Sequence, residues 1–285
     1  MMNTLNNKID FAVIFSVTNA NPNGDPLNGN RPRETYEGLG EVSDVCLKRK
    51  IRNSLQDMGE RIFVQSDERC DDGFKSLSER ASGNAALKDA AKDKEKYAAA
   101  ACEQWIDVRS FGQVFAFKSG KEKENGVSVG VRGPVSLQPA MSVSPVDIES
   151  LQITKSVNSE PGEKKSSDTM GSKHRVSFGI YSFCGSINCQ LAEKTGFTGE
   201  DAEKIHEALK ALFDNDASAA RPEGSCEVCR IYWWKHNSKN GQYSSAKVHR
   251  LLHITPKTNA PKSFADFEVS VDELPGLSCQ IDELF

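Results

Sequence analysis

Ile9-Asp10-Phe11-Ala12-Val13-Ile14-Phe15-Ser16-Val17 is the stretch whose reading decides the fold. β-branched and aromatic residues dominate it, and its apolar centre, Phe11 to Phe15, is strand-sized, so it reads as a buried first strand. It runs into Asn19-Ala20-Asn21-Pro22-Asn23-Gly24-Asp25-Pro26, a chain of turn formers. A polar loop continues through Arg31-Pro32-Arg33. Ser43 then stands where an N-cap belongs, ahead of Leu47, Ile51, Leu55 and Met58 at helical spacing. The chain opens as strand, loop, helix.

Working outward, residues 81–104 are rich in Ala, Lys, Asp and Glu and predict an exposed helical insertion. Val108 to Phe117 and Val127 to Leu137 read as strands around the polar loop Lys118 to Gly126. Residues 154–173 hold almost no apolar side chains, which marks a functional or disordered excursion. Arg175 to Gln190 returns to strand composition. Thr198 or Gly199 opens a second amphipathic helix, with Ile205, Leu209 and Leu212 inward. Val228 to Trp234 and Val248 to Ile254 supply later strands. This order predicts an α+β protein compatible with a ferredoxin-like βαββαβ core, the plan of RNA-recognition (RRM-like) domains.

Length and composition narrow the function classes. The 285 residues are 38% hydrophobic, enough for one large domain with insertions. No apolar run approaches the roughly 18 residues of a membrane helix, and Asp10 interrupts any signal-peptide layout. A soluble cytoplasmic protein without a membrane partner is expected. The eight cysteines are scattered, so no disulfide framework is expected. Net charge is −4, which runs against nucleic acid, yet the charges segregate. Acid gathers at Asp67-Glu68, Asp71-Asp72, Glu200-Asp201 and Asp282-Glu283, base at 48–52 and 164–175.

The basic segment Lys48-Arg49-Lys50-Ile51-Arg52 lies on the first helix. Lys48 and Arg52, four apart, stack on one flank of its apolar stripe, and such a row can meet successive phosphates. Lys50, on the other flank, is expected to serve solubility or a neighbouring subunit. Taken alone, a basic helix face is more simply a solvated one. The loop from Asn21 to Arg33 offers close backbone approach at glycine and an arginine clamp for phosphate, or only a surface turn. Met170-Gly171-Ser172-Lys173-His174-Arg175 can set Met170 against a base while cations hold the backbone, or can be a disordered insertion. Trp233 and Trp234 are better read as core than as stacking platforms, since adjacent strand residues face opposite ways. Cys226 and Cys229 form the one CxxC, without two further ligands at zinc spacing. His249 and His253 lack the Glu of a HExxH helix. No active site, metal or cofactor is legible.

Several segments in order carry a family resemblance. They are the Asn-Pro-Asn-Gly-Asp-Pro loop, Val42 to Arg52, Asp107-Val108-Arg109-Ser110-Phe111-Gly112, Gly133-Pro134-Val135-Ser136, Met170 to Val176, and Gly179-Ile180-Tyr181. Together they resemble the repeated backbone subunit of type I-C CRISPR Cascade complexes, the Cas-seven family, from the first strand to at least Ile254. Ser172 departs from the family, where a basic residue after the glycine is more frequent. The resemblance implies one RRM-like palm over residues 1–285, helical fingers at about 63–106, and a protruding thumb hairpin at about 153–175. It implies polymerisation with neighbouring copies along a guide RNA (crRNA), pairing of target DNA with the guide, and other Cascade subunits as partners. The expected RNA contacts are Asn21, Asn23, Arg31, Arg33, Ser43, Lys48, Arg49, Arg52, Arg109, Phe111, Met170, Lys173, His174 and Arg175, in a non-catalytic role. An enzymatic alternative is a type III-like subunit that cuts target RNA through Asp25. A guide-processing nuclease with a histidine acid/base is a third.

Overall fold

The apolar run at the start of the chain becomes β1 (Ile9–Ala20), and its residues from Ile9 to Val17 are all buried. They do not alternate polar with apolar because both faces of the strand are covered. The structure is a computed structural model that describes residues 4–117, 128–157 and 170–285. After β1 the chain makes a short hairpin of β2 (Gly24–Asp25) and β3 (Arg31–Pro32), then β4 (Leu39–Val42) and helix α1 (Asp44–Asp57). Ser43 caps α1, its Oγ accepting from the Cys46 amide at 3.3 Å. Leu47, Ile51 and Leu55 are buried, each stabilising the fold by about 1.5–3 kcal/mol. Met58 follows the last helical residue and is 42% exposed, so the inward stripe stops at Leu55.

Helices α2 (Leu77–Gly83), α3 (Ala85–Asp89), α4 (Lys94–Gln104) and α5 (Ile106–Phe111) come next. The last corrects the strand expected from Val108. Asp107 turns inward to accept from the amides of Phe63 and Val64, at 2.7 and 3.1 Å, and this tertiary demand overrides the β propensity of Val108 and Phe111. Gly112, at φ 82°, ends the helix and starts β5 (Gly112–Ala116), which pairs with β6 (Ser128–Arg132). The loop expected from Lys118 to Gly126 lies outside the described residues. Then follow β7 (Val135–Leu137), β8 (Ala140–Pro145), β9 (Ile148–Thr154) and the eighteen-residue β10 (Met170–Ile187).

The chain closes with α6 (Cys189–Thr195), α7 (Gly199–Lys210), β11 (Cys226–Lys235), α8 (Ser245–His249), β12 (Leu252–Pro256), β13 (Phe267–Val271) and β14 (Cys279–Glu283). Thr198 and Asp201 form a reciprocal capping box at the start of α7. The strand expected over Val248–Ile254 is split. Val248 is buried as part of α8, and strand pairing begins only at Leu252, opposite Val271 of β13.

The main sheet is antiparallel, in the order β14–β11–β1–β10–β8–β4, with β7 and β9 pairing at opposite ends of β10. Alternate residues of β1 feed two cores. Phe11, Val13 and Phe15 pack with Tyr181, Phe183 and Trp233 beneath α1 and α7. Ala12 and Ile14 pack with Ile180, Tyr232 and Trp234 against the C-terminal segment around Val248, Phe264 and Phe267. Trp233 and Trp234 therefore occupy opposite cores, and neither is a free stacking surface. A third core joins Phe63, Leu87, Tyr97, Trp105, Phe115 and Val129.

Candidate nucleic-acid interface

The loop leaving β1 is built by its asparagines. The Asn21 amide nitrogen donates to the Asn30 carbonyl at 2.7 Å, and its backbone N–H donates to the Ala220 carbonyl at 2.9 Å. Asn23 Oδ1 accepts from both the backbone N–H and the hydroxyl of Ser43, each at 2.9 Å. One side chain thus ties the loop to the residue that caps α1. Gly24 has no room for a Cβ, which would collide with the Asn30 side chain. Asn21, Asn23 and Ser43 shape the segment; Arg31 and Arg33 project from it.

Arg31 reaches across to the hairpin of β9 and β10. Its Nη1 lies 2.9 Å from Ser150 Oγ, and His174 Nδ1 lies 2.9 Å from the same oxygen. A guanidinium only donates, so Ser150 Oγ accepts from Arg31 and holds its second hydrogen bond to the His174 ring. This hub brings the loop and the hairpin, far apart in sequence, onto one surface.

Strand alternation divides the expected hairpin contacts. Met170 and His174 share a face with Ser150 and Gln152, whereas Lys173 and Arg175 share the opposite face with Glu149 and Leu151. Met170 is 65% exposed, with Gln152 Nε2 at 3.2 Å from its sulfur. Arg175 pairs with Glu149 at 2.7 Å and holds that carboxyl below the usual range, helped by Ser177. Residues 158–169 of the expected thumb lie outside the described residues.

The cations of α1 do not form a single face. Lys48 pairs with Asp44 one turn back, at 2.9 Å. Lys50, expected to be exposed, is instead 3% exposed, pairs with Asp216 and lies 5.1 Å from the Phe213 ring centre. Arg221 Nε donates to the same Asp216 oxygen at 2.8 Å. A half-buried carboxylate supplied by the loop before β11 is the reason for that correction. Arg49 donates to the Val64 carbonyl at 2.6 Å, and burial followed by the Arg52 charge lowers its pKa. Arg52 donates to the fully buried Asp107 at 2.9 Å, over the Phe111 ring. Arg109 is bidentate to Asp201, at 3.0 and 2.7 Å. Arg49, Arg52, Arg109 and Phe111 thus join α1 to the insertion and to α7, while Arg31, Lys48 and His174 stay at the surface.

Sequence reading missed Asp44, Glu149 and Ser150, the partners of the exposed cations, and Asp216 beneath Lys50. Only Asp44 had a local signal, an i,i+4 spacing to Lys48. Asp25 accepts from the Leu27 amide at 3.1 Å and lies 3.8 Å from Arg33. Among the described residues no group of three His, Cys, Asp or Glu side chains is placed to hold a metal. None of their helices is long and apolar enough to cross a membrane.

A loop-and-hairpin surface with exposed cations, beside a large antiparallel sheet, defines the class to which sequence comparison gives a name. The family model for CRISPR-associated protein Cas7 matches residues 7–272, and the chain belongs to that family. A Haloferax volcanii protein described as CRISPR-associated protein Cas7 is 26% identical, over 96% of this chain and 83% of its own length. A chain from a CRISPR RNA-guided surveillance complex in a pre-nicking state aligns with a TM-score of 0.48 at 17% identity, covering 80% of this chain and 78% of that one. Another, from a CRISPR RNA-guided surveillance complex, aligns with a TM-score of 0.45 at 17% identity over 80% and 68%.

Proposed function

We propose that this chain is the non-catalytic backbone subunit of a type I-C Cascade, binding crRNA along repeated copies of itself and presenting the guide for pairing with target DNA. The observation that carries the reading is the Arg31–Ser150–His174 hub, which joins the β1 loop and the β9–β10 hairpin into one cationic surface. Family membership supports it, as does the strand order β11–β1–β10–β8 with α1 and α7 over one face, which fits a ferredoxin-like, RRM-type palm. In this reading the thumb is the end of the β9–β10 hairpin, about 153–175, and the core around Phe63 and Trp105 belongs to the fingers. Contacts go mainly to phosphate, so affinity is sequence-tolerant and salt-sensitive, while base pairing supplies specificity.

The test is mass spectrometry of the chain purified without nuclease, followed by incubation of the assembled complex with complementary RNA and magnesium. Co-purified RNA of uniform length and an intact target strand are expected. Periodic cleavage that disappears in Asp25→Ala would replace the scaffold with a nuclease.

A further inference from the structure

We propose that the four carboxylates Asp25, Glu34, Asp44 and Glu149 compete with phosphate for the cations of the β1 loop, α1 and the hairpin and so set the protein's selectivity for a polyphosphate chain over isolated anions. The inference rests on the RNA-binding reading above. Each carboxylate stands against one cation: Asp25 against Arg33 at 3.8 Å, Glu34 against Arg31 at 3.7 Å, Asp44 against Lys48 at 2.9 Å and Glu149 against Arg175 at 2.7 Å. All eight side chains keep between 25% and 45% of their exposure, so a third anion can reach every pair.

An exposed pair of this kind contributes about 0.2–1 kcal/mol. One phosphate ion that displaces one carboxylate exchanges an anion for an anion and gains little. A nucleic-acid strand displaces several at once and releases its condensed counterions with each contact. The carboxylates thus set a threshold that a polyanion crosses and a single phosphate does not.

Two observations favour exchange over a merely solvated face. Asp25 stands 3.8 Å from the Arg33 guanidinium, beyond hydrogen-bond distance, so that pair is incomplete and its cation stays open to a phosphate oxygen. Lys173, beside Arg175 on the same hairpin face, has no ion-pair partner among the described residues and offers a first landing point. The low pKa of Glu149 keeps it an anion at neutral pH, so its competition persists there.

The experiment compares full-length wild type with Glu149→Gln, Asp44→Asn and the double variant, using anisotropy of a labelled single-stranded RNA with inorganic phosphate as competitor. Glu37→Gln and Asp147→Asn are controls, since each removes one charge from the same segments without releasing a paired cation. Each paired-carboxylate variant is expected to bind about two- to fivefold tighter, with the gains multiplying in the double variant. Phosphate should inhibit the double variant at concentrations that leave wild type unaffected. Equal gains in the controls would reduce the effect to net charge and overturn the proposal. Wild-type RNA binding with no gain in any variant would overturn it while leaving the RNA reading intact; no RNA binding by wild type would overturn both.

Discussion

Lys48 and Lys50 are two residues apart on one helix, and each has an aspartate partner, yet their surroundings differ completely. The Lys48–Asp44 pair keeps 25% and 35% of its side-chain exposure, whereas Lys50 is sealed at 3% over Asp216. The same contrast separates Arg175–Glu149 on the hairpin from Arg52–Asp107 beneath the insertion. A buried pair has surrendered its water, and losing one partner strands a charge where no solvent can reach it. An exposed pair can be opened and remade at small cost. Charge on a helix face therefore tells little about function until the burial of its partner is known.

The largest expected effect lies on the buried side. Arg52→Ala leaves the Asp107 carboxylate without its counter-ion, and stability should fall by about 3–5 kcal/mol, read as a lower urea midpoint. A loss under 1 kcal/mol would erase the distinction between the two kinds of pair. Next is a buried polar group that answers to pH. His249 packs with its Nε2 3.0 Å from the Gly185 carbonyl and 3.7 Å from Asp10, and burial lowers its pKa despite Asp10. A histidine whose folded pKa is depressed stabilises the fold above its unfolded pKa, about 6.5, and that stability is lost as pH falls below it. The Tm of wild type should drop from pH 7 to pH 5 more steeply than that of His249→Gln.

On the exposed side, Lys48→Ala should leave Tm nearly unchanged while reducing the slope of log affinity for RNA against log salt by about one. An unchanged slope would remove Lys48 from the interface. Smallest of all, Arg175→Ala should cost no more than about 1 kcal/mol in urea unfolding.

Features set by local periodicity and capping were readable in advance. The first strand, Ser43 as a cap, the Leu47–Ile51–Leu55 stripe, the Thr198 start of α7 and the burial of both tryptophans all depend on neighbours a few residues away. What failed depended on distant chain. Lys50 is buried by a residue 166 positions later. The strand expected at Val108 became helix because Asp107 serves backbone amides more than forty positions upstream. Of the expected contacts, Arg31 and His174 meet at Ser150, while Arg52 and Arg109 pair with Asp107 and Asp201. No pattern in one sequence separates those two uses of arginine.

The length of β10 has a mechanical consequence. Eighteen residues at about 3.3 Å each make a beam of about 60 Å. From Val176 to Ile187 it is clamped along β1, and from Met170 to Arg175 it overhangs, braced by β9. The clamp ends where Val176 faces Ala20, the last residue of β1 and the root of the Asn21 loop. A load on the overhang at Met170 therefore bears on the fulcrum from which that loop departs, so strand and loop are parts of one lever.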